Sequence, residues 1–179
     1  MATAVMPPAL PVPLEQAKSY LRIAGSEEDA LLAGLLRSAT ELCEAFTGLA
    51  LIEREVAETL PARREWMRLA HAPVKAILGV AGLGPAGEPS ALASGDYAID
   101  IDAAGDGWVR ILRAGDASRV LVAYRAGQAA DWNGIAEPLR QGIVRMAAHF
   151  YAHRDREDGI GPPAAVTALW LPYRRLRLC

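Results

Sequence analysis

Residues 26–60, SEEDALLAGLLRSATELCEAFTGLALIEREVAETL, change their hydrophobic period half-way along, and that change decides the fold class. Over the first part Leu31, Leu32, Leu35, Leu36, Ala39, Leu42, Cys43 and Phe46 recur at three- and four-residue spacing, which gathers one broad apolar face on a helix. Ser26 stands where an N-cap is wanted, and Glu27, Glu28 and Asp29 put negative charge in the first turn. Gly48 supplies the stop, so the spacing predicts a helix over 27–47. After Leu51 the period falls to two: Ile52, Arg54, Val56, Glu58 and Leu60 alternate with Glu53, Glu55, Ala57 and Thr59. That alternation belongs to a strand with one solvated face.

Upstream, Pro13 suits the first turn of a short helix over 14–22, in which Leu14, Ala17 and Leu21 share a face and Gly25 marks the exit. Downstream, further strands are predicted at Glu65 to Leu69, Val74 to Leu83, Tyr97 to Ile101, Trp108 to Leu112 and Arg119 to Tyr124, giving a β region over 51–125. Turn-rich pieces such as Gly84-Pro85-Ala86-Gly87 and Ala103-Ala104-Gly105-Asp106-Gly107 separate them. A loop from Gly127 to Glu137 leads to Pro138 and a helix over 138–154, lined by Leu139, Ile143, Met146, Ala147 and Phe150. Helices at both ends therefore bracket antiparallel strands in the middle. This segregated order predicts an α+β fold: a small helical bundle, a central antiparallel β region and an extended C-terminal tail.

Length and composition agree with one core. The 179 residues are 52% hydrophobic and 22% charged, a globular balance in which alanine supplies much of the apolar count. No stretch approaches the roughly 20 uninterrupted apolar residues of a membrane span. Residues 1–12 lack the basic start and long apolar centre of a secretory signal, and their prolines suggest an extended arm, so a cytoplasmic site of synthesis and use is expected. Cys43 and Cys179 show neither disulfide nor metal spacing. The formal net charge of −2 argues against a dedicated nucleic-acid binder. Charge is unevenly placed, however: residues 15–60 hold nine acids against four bases, whereas three arginines and no acid follow Pro162. Such polarity suits head-to-tail association or docking on an acidic partner.

The stretch Pro162 to Cys179, PPAAVTALWLPYRRLRLC, follows a charged, glycine-containing joint and is set off by a proline pair. With residues 156–179 taken as linker and tail and 13–155 as a single α+β domain, the tail is expected to dock elsewhere. Trp170, Leu171 and Tyr173 beside Arg174, Arg175 and Arg177 admit three readings. Pro172 interrupts a membrane-surface helix, and net acidity makes phosphate contact secondary. Protein docking through aromatic and arginine residues fits best, with a tail folded back on its own core as the plain alternative.

Two other patterns invite chemistry. Asp100, Asp102, Gly105 and Asp106 resemble the start of a calcium loop, but Ala104 stands at the next ligand position and Ile111 at the terminal glutamate, so a polar hairpin turn is expected. His149 and His153 share a helix face at zinc-site spacing, yet Phe150 replaces the glutamate of H-E-x-x-H and a third ligand such as Asp155 would have to be recruited. A small metal-dependent enzyme built on these histidines is the alternative from another class. No phosphate loop, dinucleotide fingerprint, nucleophile elbow or deaminase signature occurs. No cofactor, metal or catalytic residue is assigned.

Several short motifs, in order, resemble the head-tail connector, or adaptor, proteins of long-tailed bacteriophages and phage-derived gene transfer agents. They begin with Leu14-Glu15-Gln16-Ala17-Lys18-Ser19-Tyr20-Leu21-Arg22 and Glu27-Glu28-Asp29-Ala30-Leu31-Leu32, followed by Glu44-Ala45-Phe46-Thr47-Gly48-Leu49-Ala50-Leu51. Val122-Ala123-Tyr124-Arg125-Ala126-Gly127, Pro138-Leu139-Arg140-Gln141 and His149-Phe150-Tyr151-Ala152-His153-Arg154 come next, and Leu171-Pro172-Tyr173-Arg174 closes the series. The resemblance runs from about residue 13 and is loose between Glu53 and Arg119, and the proline-containing N-terminal arm is longer than it leads one to expect.

What the resemblance implies is a structural protein, not an enzyme: a homo-oligomeric ring, commonly a dodecamer, beneath the portal protein of a DNA-filled head. It implies a virion location at the head-tail interface after assembly in the bacterial cytoplasm. DNA passes only as cargo, and a tail-side connector or stopper protein binds below. Leu169, Trp170, Leu171, Pro172, Tyr173, Arg174 and Arg175 are the expected portal-binding residues. A DNA-contacting packaging accessory is a third possibility.

Overall fold

The computed structural model describes residues 12–153 and 161–175. They form two compact units, one built from Glu53–Gln128 and the other from the described residues up to Ile52 and from Ala129 onward. The first unit is all β and the second all helical, so the mixed α+β class read from the periodicities holds.

In the helical unit α1 (Leu14–Leu21) stops four residues before Gly25, because Arg22 itself takes the left-handed conformation (φ 58°) and its N–H reaches back to Lys18 and Ser19 carbonyls. The next helix, α2 (Asp29–Thr47), starts two residues later than expected. Ser26 is not its cap: the Ser26 carbonyl accepts from Asp29 N–H at 3.2 Å, closing a turn ahead of the helix. At the other end Gly48 (φ 73°) does terminate α2, the αL position that glycine fills without Cβ strain. Lys18 Nζ meets Asp29 Oδ1 at 2.9 Å, which ties α1 to the start of α2 and, chiefly through that bond, raises the lysine pKa. The last long helix, α3 (Glu137–Ala152), begins with Pro138 in its first turn and ends two residues short of the expected 154. Leu36, Ala39, Cys43, Leu139, Ile143, Met146 and Ala147 meet in one buried core, to which Val12 also belongs. Burial pushes the Cys43 thiol pKa up, leaving it a small apolar filler.

The β unit has two antiparallel sheets. Strands β1 (Arg54–Pro61), β3 (Val74–Leu83), β4 (Pro89–Ala91) and β7 (Arg119–Ala126) are ordered β1-β7-β3-β4. Strands β2 (Met67–Arg68), β5 (Tyr97–Ile101) and β6 (Gly107–Ile111) are ordered β2-β6-β5. Their core holds Val56, Leu69, Val74, Val80, Val109, Ile111, Val120, Val122 and Tyr124. Tyr124 is central and buried, yet its hydroxyl donates to Glu58 Oε2 at 2.8 Å and accepts from His71 N–H at 3.3 Å. Burial first, and then Glu58, raise its pKa, so the phenol stays neutral and pins the 70–71 segment to the sheet.

In the hairpin between β5 and β6 the Asp102 carboxylate braces the turn. Asp102 Oδ1 accepts from Ala104 and Asp106 N–H groups, both at 2.9 Å, and Oδ2 accepts from Trp108 Nε1 at 3.0 Å. The carboxylate thus serves an Asx-type turn, and Asp106 pairs with Arg68 at 3.7 Å.

Candidate functional site

The C-terminal stretch is where sequence placed function, and its described part is ordered by the helical unit. Ala164–Trp170 form a short helix, α4, entered through Pro163, and Leu171–Tyr173 continue as a 3-10 turn. Short apolar helices gain stability from the surface they bury, not from propensity. Here Val166 and Trp170 enter the same core as Leu36 and Ile143.

Trp170 is 0% exposed. Its indole lies on α3 at Gly142, where a Cβ would come within 2.0 Å of Nε1. Phe46 of α2 packs on it from another side, ring centroids 5.9 Å apart and tilted by 50°. The chain then crosses the end of α2: the Arg174 guanidinium sits 5.5 Å from the Phe46 ring centroid, and Arg175 N–H donates to Thr47 O at 2.8 Å. That bond satisfies a last-turn carbonyl of α2, and two cationic side chains arrive at the negative end of its dipole. Thr47 itself donates its hydroxyl to Cys43 O at 2.6 Å.

The seven residues singled out for portal contact are therefore not equivalent. Trp170 faces inward, and Leu169 and Tyr173 pack partly against the core. Leu171 (55% exposed), Pro172 and Arg174 face outward, with Arg175 between. Residues 164–173 pack on the core of the helical unit, where Gly142 leaves a seat for the indole. Gly142 was missed by sequence reasoning, although a glycine inside a helical pattern is a standing signal of close approach. The residues after Arg175, Arg177 among them, lie outside the described residues.

His149 and His153 do stand side by side, ring centroids 4.2 Å apart. His153 closes the end of α3: its N–H and its Nδ1 both lie near His149 O, at 3.1 and 2.9 Å. Burial, and then the His153 charge, lower the His149 pKa. Among the described residues no group of three His, Cys, Asp or Glu side chains could hold a metal ion. Asp155, the candidate third ligand, lies outside them. No described helix is long and apolar enough to cross a membrane.

Residues 12–81 match the model of the phage gp6-like head-tail connector protein family. The whole chain is similar to a chain of the virion of a native gene transfer agent (GTA) particle, with 27% identity, a TM-score of 0.78, and coverage of 100% of this chain and 97% of that one. Over residues 12–81 the chain thus resembles head-tail connector proteins. The chain is also similar to a chain in the neck of an empty GTA particle computed with C6 symmetry, at 26% identity and TM-score 0.80. A chain in the neck of a native GTA particle computed with C12 symmetry gives 25% and 0.75, and both matches cover 100% of this chain and 97% of the other. The comparison with curated proteins gave no match. The family is one of structural phage connectors, the class to which the ordered short motifs pointed.

Proposed function

We propose that this protein is a head-tail connector, a structural subunit of the neck of a phage-like particle, where twelve copies close into a ring below the portal, extend the DNA channel and join head to tail. The single observation that carries this proposal is the full-length likeness to chains of gene transfer agent particles and their necks. A closed ring of identical subunits uses two different patches on each subunit. Residues 13–155 act as the connector domain, 1–12 as an arm, and 156–179 as the segment that meets the portal. A tail-side stopper protein binds the opposite end, and DNA passes as cargo.

The portal-facing surface is led by Leu171, Pro172 and Arg174, with Leu169, Tyr173 and Arg175 flanking it. Trp170 supports them from within the core and does not touch the partner. Repetition around a ring lets a small patch of this kind hold through avidity. The test is association of the purified connector with its portal, followed by size-exclusion chromatography and electron microscopy. Leu171→Glu combined with Arg174→Glu is expected to abolish association while leaving the circular dichroism spectrum unchanged. Undiminished association of that variant would refute the assignment of this surface.

A further inference from the structure

Two surfaces of opposite charge, each with a large apolar side chain exposed at its centre, are present on the chain. The first is on the outer face of the three-stranded sheet. Met67 stands opposite Val109 and Arg68 opposite Trp108, so one step back along the ladder brings Trp66 beside Arg110. Val109 and Ile111 turn into the core, which leaves Trp66, Trp108 and Arg110 on the other face. Trp66 is 43% exposed, and the Arg110 guanidinium lies 4.7 Å from its ring centroid, a cation–π pair that fixes the indole. Arg63 joins them, since its carbonyl accepts from Ile111 N–H at 2.8 Å, and the exposed Arg64 follows. Arg63, Arg64 and Arg110 have no ion pair among the described residues, whereas Arg68 is paired with Asp106. The Trp66 end of the face is therefore cationic, with Glu65 as its acid and the other acids of the face toward the β5–β6 turn.

The complementary surface is on α2. From position 27 to 47 the chain carries Glu27, Glu28, Asp29, Glu41 and Glu44 against Arg37, and Lys18 neutralises Asp29 alone. Leu32, Leu36, Ala39 and Cys43 are buried, so the opposite stripe of Glu27, Leu31, Ser38 and Glu41 faces solvent. Leu31 is 42% exposed, and Gly34 and Ser38 keep the stripe low beside it.

We propose that these two surfaces meet between neighbouring copies of this chain: Trp66 of one subunit seats against Leu31 of the next, over Gly34 and Ser38, while Arg63, Arg64 and Arg110 face Glu27 and Glu41. Tryptophan and arginine are the residue types that anchor interfaces, and the opposed charges fix the register. The patches differ, as a closing heterologous contact requires. Either patch set against its own copy brings like charges together, which disfavours a two-fold dimer. DNA is a poorer partner for these arginines, because Glu65, Asp100, Asp102 and Asp106 on the same sheet repel phosphates. This inference rests on the ring proposed above.

Assembly of the full chain on its portal tests it, read as copies bound per portal by mass photometry, with circular dichroism as the control for folding. Arg63→Glu with Arg64→Glu makes both surfaces acidic, and Glu27→Arg with Glu41→Arg makes both basic. Each variant alone should lose ring occupancy by about tenfold or more. An equimolar mixture of the two should restore it, because alternating subunits then set opposite charges together at every contact of an even-numbered ring. Trp66→Ala alters no charge and should weaken assembly by a similar factor, about tenfold, so it decides the matter if a charge variant does not fold. Undiminished assembly of Trp66→Ala or of either charge variant would overturn this interface alone, including an arginine variant that loses DNA binding instead. So would a mixture of folded variants that stays unassembled. A parent chain that forms no ring would overturn the ring proposal together with it.

Discussion

Gly142→Ala puts the seat of the C-terminal segment under direct test. A methyl group at 142 would lie 2.0 Å from Trp170 Nε1, 2.7 Å from Cδ1 and 2.8 Å from Cε2, all far inside van der Waals contact. In a helix interior the change by itself favours folding by roughly 1 kcal/mol, since alanine is the better helix former. Against that, the fully buried indole has Phe46 on another side and little room to shift. Overpacking of this kind costs about 1–3 kcal/mol. Expulsion of the ring would approach the ~3–5 kcal/mol of a buried tryptophan truncated to alanine. The net expectation is a helical unit less stable by up to roughly 4 kcal/mol, the overpacking or expulsion cost less the propensity gain. In a Trp170→Ala background the obstruction is gone, and the same Gly142→Ala change should stabilise by about 0.5–1 kcal/mol. Urea unfolding of the parent, the two single variants and the double variant, followed by far-ultraviolet circular dichroism, completes the cycle. A change of the same sign in both backgrounds would refute the close approach of Trp170 to α3.

Further outcomes follow from the same packing. Removal of residues 162–179 takes Val166 and Trp170 out of the core, so the truncated chain should melt several degrees lower or not fold, measured by calorimetry. Tyr124→Phe leaves His71 N–H and Glu58 without the hydroxyl between them, and denaturant unfolding should show a loss of about 1–3 kcal/mol. His149, its pKa held below the ordinary value of 6.5 by burial and then by His153, binds fewer protons folded than unfolded. Its contribution is present in full above pH 6.5 and is lost as the pH falls through the lowered folded value, so melting temperature should decline on acidification, and His149→Gln should flatten that slope.

Most of the architecture was legible because period is a local signal. Residues 74–83 and 97–101 are strands with the bounds the alternation indicated, and Gly48 stops α2 for the reason sequence suggests. Misplacements arose where two local solutions compete. Ser26 can cap a helix or close a turn with its carbonyl, and the turn prevailed. Arg22 adopts the left-handed conformation that Gly25 could have taken more easily. Strand β4, Pro89–Ala91, was invisible because its three exposed residues have no periodicity and owe their conformation to pairing with Ala81, Gly82 and Leu83. The functional stretch was the hardest part. An aromatic residue near a terminus resembles an interface hot spot, and only the partner at position 142 reveals that Trp170 is already occupied.

The bond from Arg175 N–H to Thr47 O has a mechanical consequence. A pull on the four residues beyond Arg175 would reach this one main-chain bond at the end of a nineteen-residue helix before it reached any core side chain. Arg174 over the Phe46 ring and Tyr173 against the core come next, and behind them stands the Trp170 indole, held between Gly142 and Phe46. Tension along the tail would thus be met by catches of rising strength, from outer ones that can open and re-form to an inner one whose release requires part of the core to come apart.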